Sequence, residues 1–370
     1  MERISIFQLF TMTIFFQVGT NIIFGFASLA GRDAWLAILI CTVLSIFIVL
    51  LHLDLMERNP GLTIVEWFPA QFGRWLGMPI AWLYPLQFLY SGGRTISDLN
   101  SLIPSTLLPD TPSAFVVAAM LLVIVHCLFS GIEVLARFTE YTLPVILLFL
   151  VLEIILLFSS GVVNFQDALP VLGEGWERIW TSVWPVGISQ LFSETLILAV
   201  IWPLVTKQKK IRKITILATI ISGLIVSCFS LIQIAVLGED LVERTSYPLY
   251  LLVRQISVAE FLENLDAIIA LNMIITAYVK ITIYFFVAVR SIQLLMNMRS
   301  SRPLIVPVAF ILYLLGMTMS TNINEHLYIF DKLTRDTLLS PLLYIFLPSL
   351  LLIVTLIRKK WSQKRNSQLG

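Results

Sequence analysis

The side chains most able to do chemistry here are those that long apolar runs ought to exclude. A polar or charged group at membrane depth costs several kcal/mol unless it has a partner or a task. One such run reads Pro185-Val186-Gly187-Ile188-Ser189-Gln190-Leu191-Phe192-Ser193-Glu194. Proline and glycine weaken a helix there, and a helix that breaks exposes N–H groups at one half-helix end and carbonyls at the other. Such a break can hold a zwitterion, its carboxylate on the N–H end and its ammonium on the carbonyl end. A second run contains Gln17-Val18-Gly19-Thr20-Asn21. Its last three residues are weak helix formers, so they either open the helix or make a small-residue packing notch. Tyr90, Ser91, Arg94 and Asp98 share a third run. Arg94 and Asp98 are one turn apart and read as an ion pair along one face, or as a ligand contact. Glu153 stands alone in the fifth run, while Asp266, Asn272, Thr276 and Lys280 follow one another in the eighth. A central ammonium at Lys280 must meet a carboxylate or carbonyls, or lose its proton. Glu194 and any freed carbonyls near Gly19 are its candidate partners, and structural locking and proton coupling both remain open.

Other chemistries find no support. Cys41, Cys127 and Cys228 all lie inside apolar runs and offer neither a disulfide framework nor metal spacing. His52, His126 and His326 are scattered. Zinc, phosphate-loop, dinucleotide and nucleophile-elbow motifs are lacking, so the reading is a non-enzyme with no metal and no cofactor. A net charge of +2 says nothing about partners, and nothing points to nucleic acid. The first apolar run is too long for a signal-peptide core and lacks a small-residue cleavage site.

The elements that must position these residues are membrane helices. The chain is 58% hydrophobic and 13% charged over 370 residues, which excludes a soluble enzyme or a secreted scaffold. About 20 apolar residues make one crossing. Ten runs qualify, near 5–29, 34–55, 79–103, 112–130, 141–160, 182–205, 214–237, 264–296, 303–320 and 340–357. In lipid these must be helices, giving an all-α polytopic protein with one integral membrane domain over 1–370. Basic residues set its orientation. Arg3, Arg58, Arg74, Arg137, the cluster Lys207–Lys213, Arg299, Arg302 and the 358–370 tail fall on one side. Only Arg32, Arg178, Arg244, Arg254, Lys332 and Arg335 fall on the other. Both termini are therefore expected in the cytoplasm. Thr63 and Glu66 form a capping-box signal, and 63–75 reads as an interfacial helix. Residues 238–263 read as a helical cap, with Tyr247–Phe261 at helical spacing.

With these elements in place, the sequence resembles the GerAB-like B subunits of spore germinant receptors, a branch of the amino acid–polyamine–organocation transporter superfamily. The likeness rests on Ser5-Ile6-Phe7-Gln8-Leu9 leading to Gly19-Thr20-Asn21-Ile22-Ile23, and on Asn59-Pro60-Gly61-Leu62-Thr63-Ile64-Val65-Glu66 with Phe72-Gly73-Arg74-Trp75-Leu76-Gly77. It also rests on Gly131-Ile132-Glu133-Val134-Leu135-Ala136-Arg137-Phe138 with Pro144. Phe192-Ser193-Glu194 is similar to the Gly-Phe-Glu of related amino acid carriers. The resemblance implies a LeuT-like five-plus-five inverted repeat (1–160 and 182–357) with helices one and six broken. It implies a small nutrient such as an amino acid bound between helices one, three, six and eight. The residues it points to are Gly19, Thr20, Asn21, Tyr90, Ser91, Gln190, Phe192, Ser193 and Glu194. Lys280 would brace helix one against helix eight, and Arg94, Asp98 and Glu153 would be coupling or structural charges. The implied partners are a receptor A-type membrane subunit and a C-type lipoprotein in the inner membrane of a spore former. Gly19-Thr20-Asn21 departs from the carriers' Gly-x-Gly run, which is consistent with binding that has outlived transport. A proton-coupled amino acid carrier and a ligand-gated water or ion conduit are the alternatives.

Overall fold

The computed structural model describes residues 3–25, 27–104, 110–256, 265–319 and 323–366. In chain order its helices are α1 (Ile6–Ile23), α2 (Ala34–Arg58), α3 (Ile64–Phe72), α4 (Arg74–Leu102), α5 (Ser113–Ser130) and α6 (Ile132–Ser159). The second half holds α7 (Trp176–Ser182), α8 (Ile188–Leu191), α9 (Ile211–Leu237), α10 (Glu239–Arg244), α11 (Pro248–Arg254) and α12 (Leu265–Leu295). It closes with α13 (Arg302–Thr318), α14 (Ile323–Thr337), α15 (Leu339–Pro341) and α16 (Leu347–Asn366). Among the described residues eight helical stretches are long and apolar enough to cross a membrane. Two of the ten expected, in α4 with 29 residues and α13 with 17, are not among them. α4 carries Arg94 and Asp98 and dilutes its own hydropathy; α13 is a residue or so short. The fifth span begins earlier than its hydropathy suggested, because Gly131 (φ 97) ends α5 and Ile132 at once starts α6.

Burial sorts the helices into a centre and a rim. About 83% of the apolar window of span six (Trp176–Val200) is buried, as is 83% of that of α12 and 78% of that of α1, against 28% for α5 and for α6. α1 packs against α9, α12 and α6, and α4 packs against α12 and α13. Lipid gives helices no hydrophobic reason to associate, so close packing of small residues must do it. A methyl on Gly92 would lie 3.0 Å from Leu312 and 3.2 Å from Tyr284; one on Gly93 would lie 2.6 Å from Leu315. Gly316 receives Ile96 in the same seam.

The face that carries Arg3, the 207–213 turn and the end of α16 is the terminal face, and its opposite is the distal face. On the terminal face the chain start is strapped to the end of span six, with Ile4 N–H donating to Leu204 O (3.0 Å) and Thr206 N–H to Ile4 O (3.0 Å). α3 starts as its sequence predicts, Glu66 Oε2 accepting from Thr63 N–H and Oγ1 (both 2.8 Å). It does not lie in the interface. Val65, Trp67 and Phe68 are fully buried, because α3 packs on α4 and under span six. Trp67 is thus a core residue, and only Trp75, 94% exposed, keeps an interfacial position.

Span ten contains a π turn at Leu342–Phe346. Such a turn leaves backbone carbonyls short of their helical donors. Tyr84 Oη donates to Leu343 O (2.9 Å), and His52 Nε2 lies 2.8 Å from Tyr344 O, so this nitrogen carries the proton. Cys41 and Cys127 are buried as expected, but Cys228 is exposed on α9. The cap expected over 238–263 is helical at α10 and α11; Phe261 lies outside the described residues, as does the side chain of Asp266.

Candidate functional site

Span six is interrupted twice. α7 ends at Ser182, the π turn Val183–Gly187 follows, and inside it Trp184 is extended (φ −118, ψ 136). After α8 the chain leaves helical geometry again at Phe192 (φ −133, ψ −12) and continues as a 3₁₀ run, Ser193–Val200. Serines take up part of the freed backbone: Ser189 Oγ donates to Pro185 O (2.7 Å) and Ser193 Oγ to Ile188 O (2.5 Å). Back-bonding of this kind competes with the helical ladder and fixes a bend.

Helix one differs from expectation. α1 runs unbroken through Gly19-Thr20-Asn21 and ends at Ile23, capped by Phe24 N–H on Thr20 O. Side chains hold the weak stretch together. Asn21 Nδ2 donates back to Gln17 O (2.6 Å), and Gln17 Nε2 donates to Thr195 Oγ1 (2.7 Å) and Thr219 Oγ1 (3.0 Å). Gly19 is the packing notch: a methyl there would lie 3.4 Å from the Thr276 side chain. The chain instead turns at Gly25 (φ +56), where any side chain would strike Pro248, and resumes as a 3₁₀ segment at Ser28–Asp33.

Between these interruptions lies a partly open cavity of ≈ 190 Å³. Thr20 and Asn21 line it from α1, and Ser91, Arg94, Thr95 and Asp98 from α4. Gln190 and Glu194 enter from span six, and Lys280 and Tyr284 from α12. Glu194 Oε2 accepts from Tyr284 Oη at 2.6 Å. Lys280 Nζ donates to Thr20 Oγ1 at 2.8 Å and stands 5.5 Å over the Phe16 ring, so it bridges α12 to α1. Gln190 turns its amide oxygen to Arg94, accepting from Nη1 (3.2 Å) and Nη2 (2.9 Å). Phe24, Leu29 and Ser182 also line it, and the part-exposed Asp331 and Arg335 of α14 mark its mouth. Three cationic side chains, Arg94, Lys280 and Arg335, are matched by three anionic ones, Asp98, Glu194 and Asp331. Such a site has no formal charge of its own and offers both signs to one ligand.

Of the residues expected from sequence, Thr20, Asn21, Ser91, Arg94, Asp98, Gln190, Glu194 and Lys280 share this cavity. Gly19, Tyr90, Phe192, Ser193 and Glu153 are not among its lining residues. Gly19 faces α12, Phe192 is fully buried in packing, and Ser193 is spent on its own backbone. Glu153 lies on the α6 stripe Thr139–Leu143–Ile146–Leu150–Glu153, and its Oε1 has no hydrogen-bond partner among the described residues. Sequence reasoning missed Tyr284, Asp331 and Arg335. The first looks like one more apolar-helix tyrosine; the other two sit in a polar stretch with no hydropathy signal. Among the described residues no group of three or more His, Cys, Asp or Glu could hold a metal.

An ionic cluster fastens the distal side. Glu239 on α10 accepts from Arg32 (2.9 Å to Nε) and from Arg178, which also pairs with Glu174 and Glu243. Gly31 (φ +59) lies directly beneath Arg178 and Glu239, where only a glycine fits. Burial disfavours charge on Glu239, but the hydrogen bonds from Arg32 and Arg178 outweigh it and hold its carboxyl below the usual carboxylate range.

The sequence model of the spore germination protein family matches residues 3–325. The chain belongs to that family. It is 31% identical over 368 residues to spore germination protein KB of Bacillus subtilis (strain 168), covering 99% of this chain and 97% of the relative. It is 25% identical to spore germination protein YndE of the same strain, over 89% of this chain and 88% of that one. Spore germination protein XB of Bacillus anthracis is 19% identical over 70% of the chain. The family's character as germination-related membrane proteins agrees with the apolar helices.

Proposed function

We propose that this protein is the nutrient-sensing B-type subunit of a spore germinant receptor, and that its ligand is a small amino acid held in the cavity. The observation that carries this reading is the neutral, doubly signed cavity beside the broken span six. There Glu194, fixed by Tyr284, can take an ammonium, and Arg94 can take a carboxylate. In this reading α4 and α13 complete ten spans in a five-plus-five arrangement. The basic terminal face is cytoplasmic, and the cavity opens away from it. Binding must favour one conformer over another to signal, since equal affinity for both shifts nothing. The change would pass to an A-type membrane subunit and a C-type lipoprotein in the inner membrane.

Spores carrying Glu194→Gln or Asn21→Ala should need more nutrient for germination while keeping the protein in the membrane. Wild-type dose–response curves in both would place the ligand elsewhere. A proton-coupled carrier is the second reading, supported by Lys280, which is buried and rests on a neutral hydroxyl rather than a carboxylate. Labelled amino acid uptake into proteoliposomes under a pH gradient separates the two: saturable binding without uptake excludes the carrier.

A further inference from the structure

The mouth of the cavity has a feature that the ligand site does not require. Within a helix the carbonyl of Thr181 would accept from the N–H of residue 185, and residue 185 is proline, which has none. The carbonyl is not left open. Arg335 Nη1, from α14, donates to Thr181 O at 3.2 Å. The same guanidinium is held in place by Asp331, one turn back on α14, which accepts from Nε through both carboxylate oxygens (2.9 and 2.8 Å). Arg335 and Asp331 both line the cavity, and α14 sits against α4 and the π turn of span six. α14 meets α15 at Leu338, a non-glycine residue in the left-handed region (φ 50, ψ 26), so the chain leaves α14 by a sharp corner.

We propose that α14 is a lid over the cavity mouth, and that Arg335 is the positioning residue that latches this lid to the outer half of span six. It does so through the carbonyl that Pro185 leaves without a donor. The proposal rests on reading the cavity as the ligand site. The latch makes the break in span six and the closure of the mouth one event. While Arg335 holds Thr181, the α7 segment is fixed and the lid stays seated; when α7 shifts, the guanidinium loses its acceptor and the lid is released. An incoming carboxylate competes for the same guanidinium, because a charged acceptor binds it more strongly than a neutral carbonyl does.

The test reads access to the mouth without needing a nutrient. A full-length Cys228→Ser chain carrying Ser182→Cys presents one thiol inside the mouth, beside Thr181. Cys41, fully buried next to Gly187, reports general loosening. In native membrane vesicles, N-ethylmaleimide should label the reporter about five- to tenfold faster in Arg335→Gln than in the parent, the factor that one lost net hydrogen bond supplies. Arg335→Lys keeps a charge and a donor and should restore the slow rate, with Cys41 unlabelled throughout. Equal rates in parent and Arg335→Gln would overturn the latch. So would a lysine variant as fast as glutamine, or Cys41 becoming reactive in step with the reporter. A normal nutrient response in Glu194→Gln spores would instead remove the ligand from beneath the lid and leave the labelling result standing.

Discussion

Replacing Tyr284 by phenylalanine isolates a single bond at the centre of the site. The ring already packs edge-on against Phe16, with centroids 5.3 Å apart and planes at 62°, and phenylalanine keeps that contact. Only the hydroxyl goes, and with it the 2.6 Å bond to Glu194 Oε2. Both side chains are buried, at 1% and 7% exposure, so the bond is made away from bulk solvent. A hydrogen bond to a charged group is worth about 1.5–3 kcal/mol. At roughly 1.4 kcal/mol per decade this amounts to a ten- to hundredfold change. Glu194, released from Tyr284, can swing toward Lys280 of α12, which lines the same cavity, where it no longer offers its charge to a ligand ammonium. The expected result is a ten- to hundredfold rise in the nutrient concentration for half-maximal germination, with normal amounts of protein in the spore membrane. A shift under about twofold in spores with full protein levels would refute the claim that Tyr284 positions Glu194 for the ligand.

Two further outcomes concern the scaffold. A methyl on Gly223 would overlap Thr42 where α9 meets α2, so Gly223→Ala should cost about 1–3 kcal/mol through overpacking and lower the melting temperature of detergent-purified protein. The ionic cluster sets a pH dependence. Because the Glu239 carboxyl is held below its ordinary value of 4.5, its contribution to stability is fully present above that value and fades as the pH falls beneath it. Thermal melts between pH 7 and pH 3.5 should show the wild type losing more stability than Glu239→Gln, whose amide does not titrate; parallel curves would assign the acid loss to other carboxylates.

Much of the site was legible because lipid makes polar residues conspicuous. Pro185, Gly187 and Glu194 announced the break in span six, and Lys280 had to meet a partner on another helix or give up its proton. Helix one was harder. Gly19-Thr20-Asn21 has the propensity of an opening, yet the helix stays intact: Asn21 bonds back to Gln17 within the helix, and Gln17 bonds to Thr195 and Thr219, distant neighbours that no local reading can see. The interfacial position of α3 failed for a related reason: an apolar face packs as well on protein as on lipid, and sequence does not say which is present. Arg335 and Asp331 were out of reach altogether. Their place at the mouth comes from the packing of α14 on α4 and on span six, and their meaning comes from a proline about 150 residues earlier.

The π turn of span ten bears on how the molecule is built. Two of its carbonyls are claimed by Tyr84 of α4 and His52 of α2. When those early spans enter the bilayer, the span that will accept their protons has not yet been synthesised. Until it arrives, an imidazole and a phenol stand in a hydrocarbon environment without their final partners. The last span is therefore the closing piece of the first half as well as the end of the second. A chain truncated after α13 would leave those two donors without acceptors, and membrane quality control would meet an unfinished bundle rather than a shorter one.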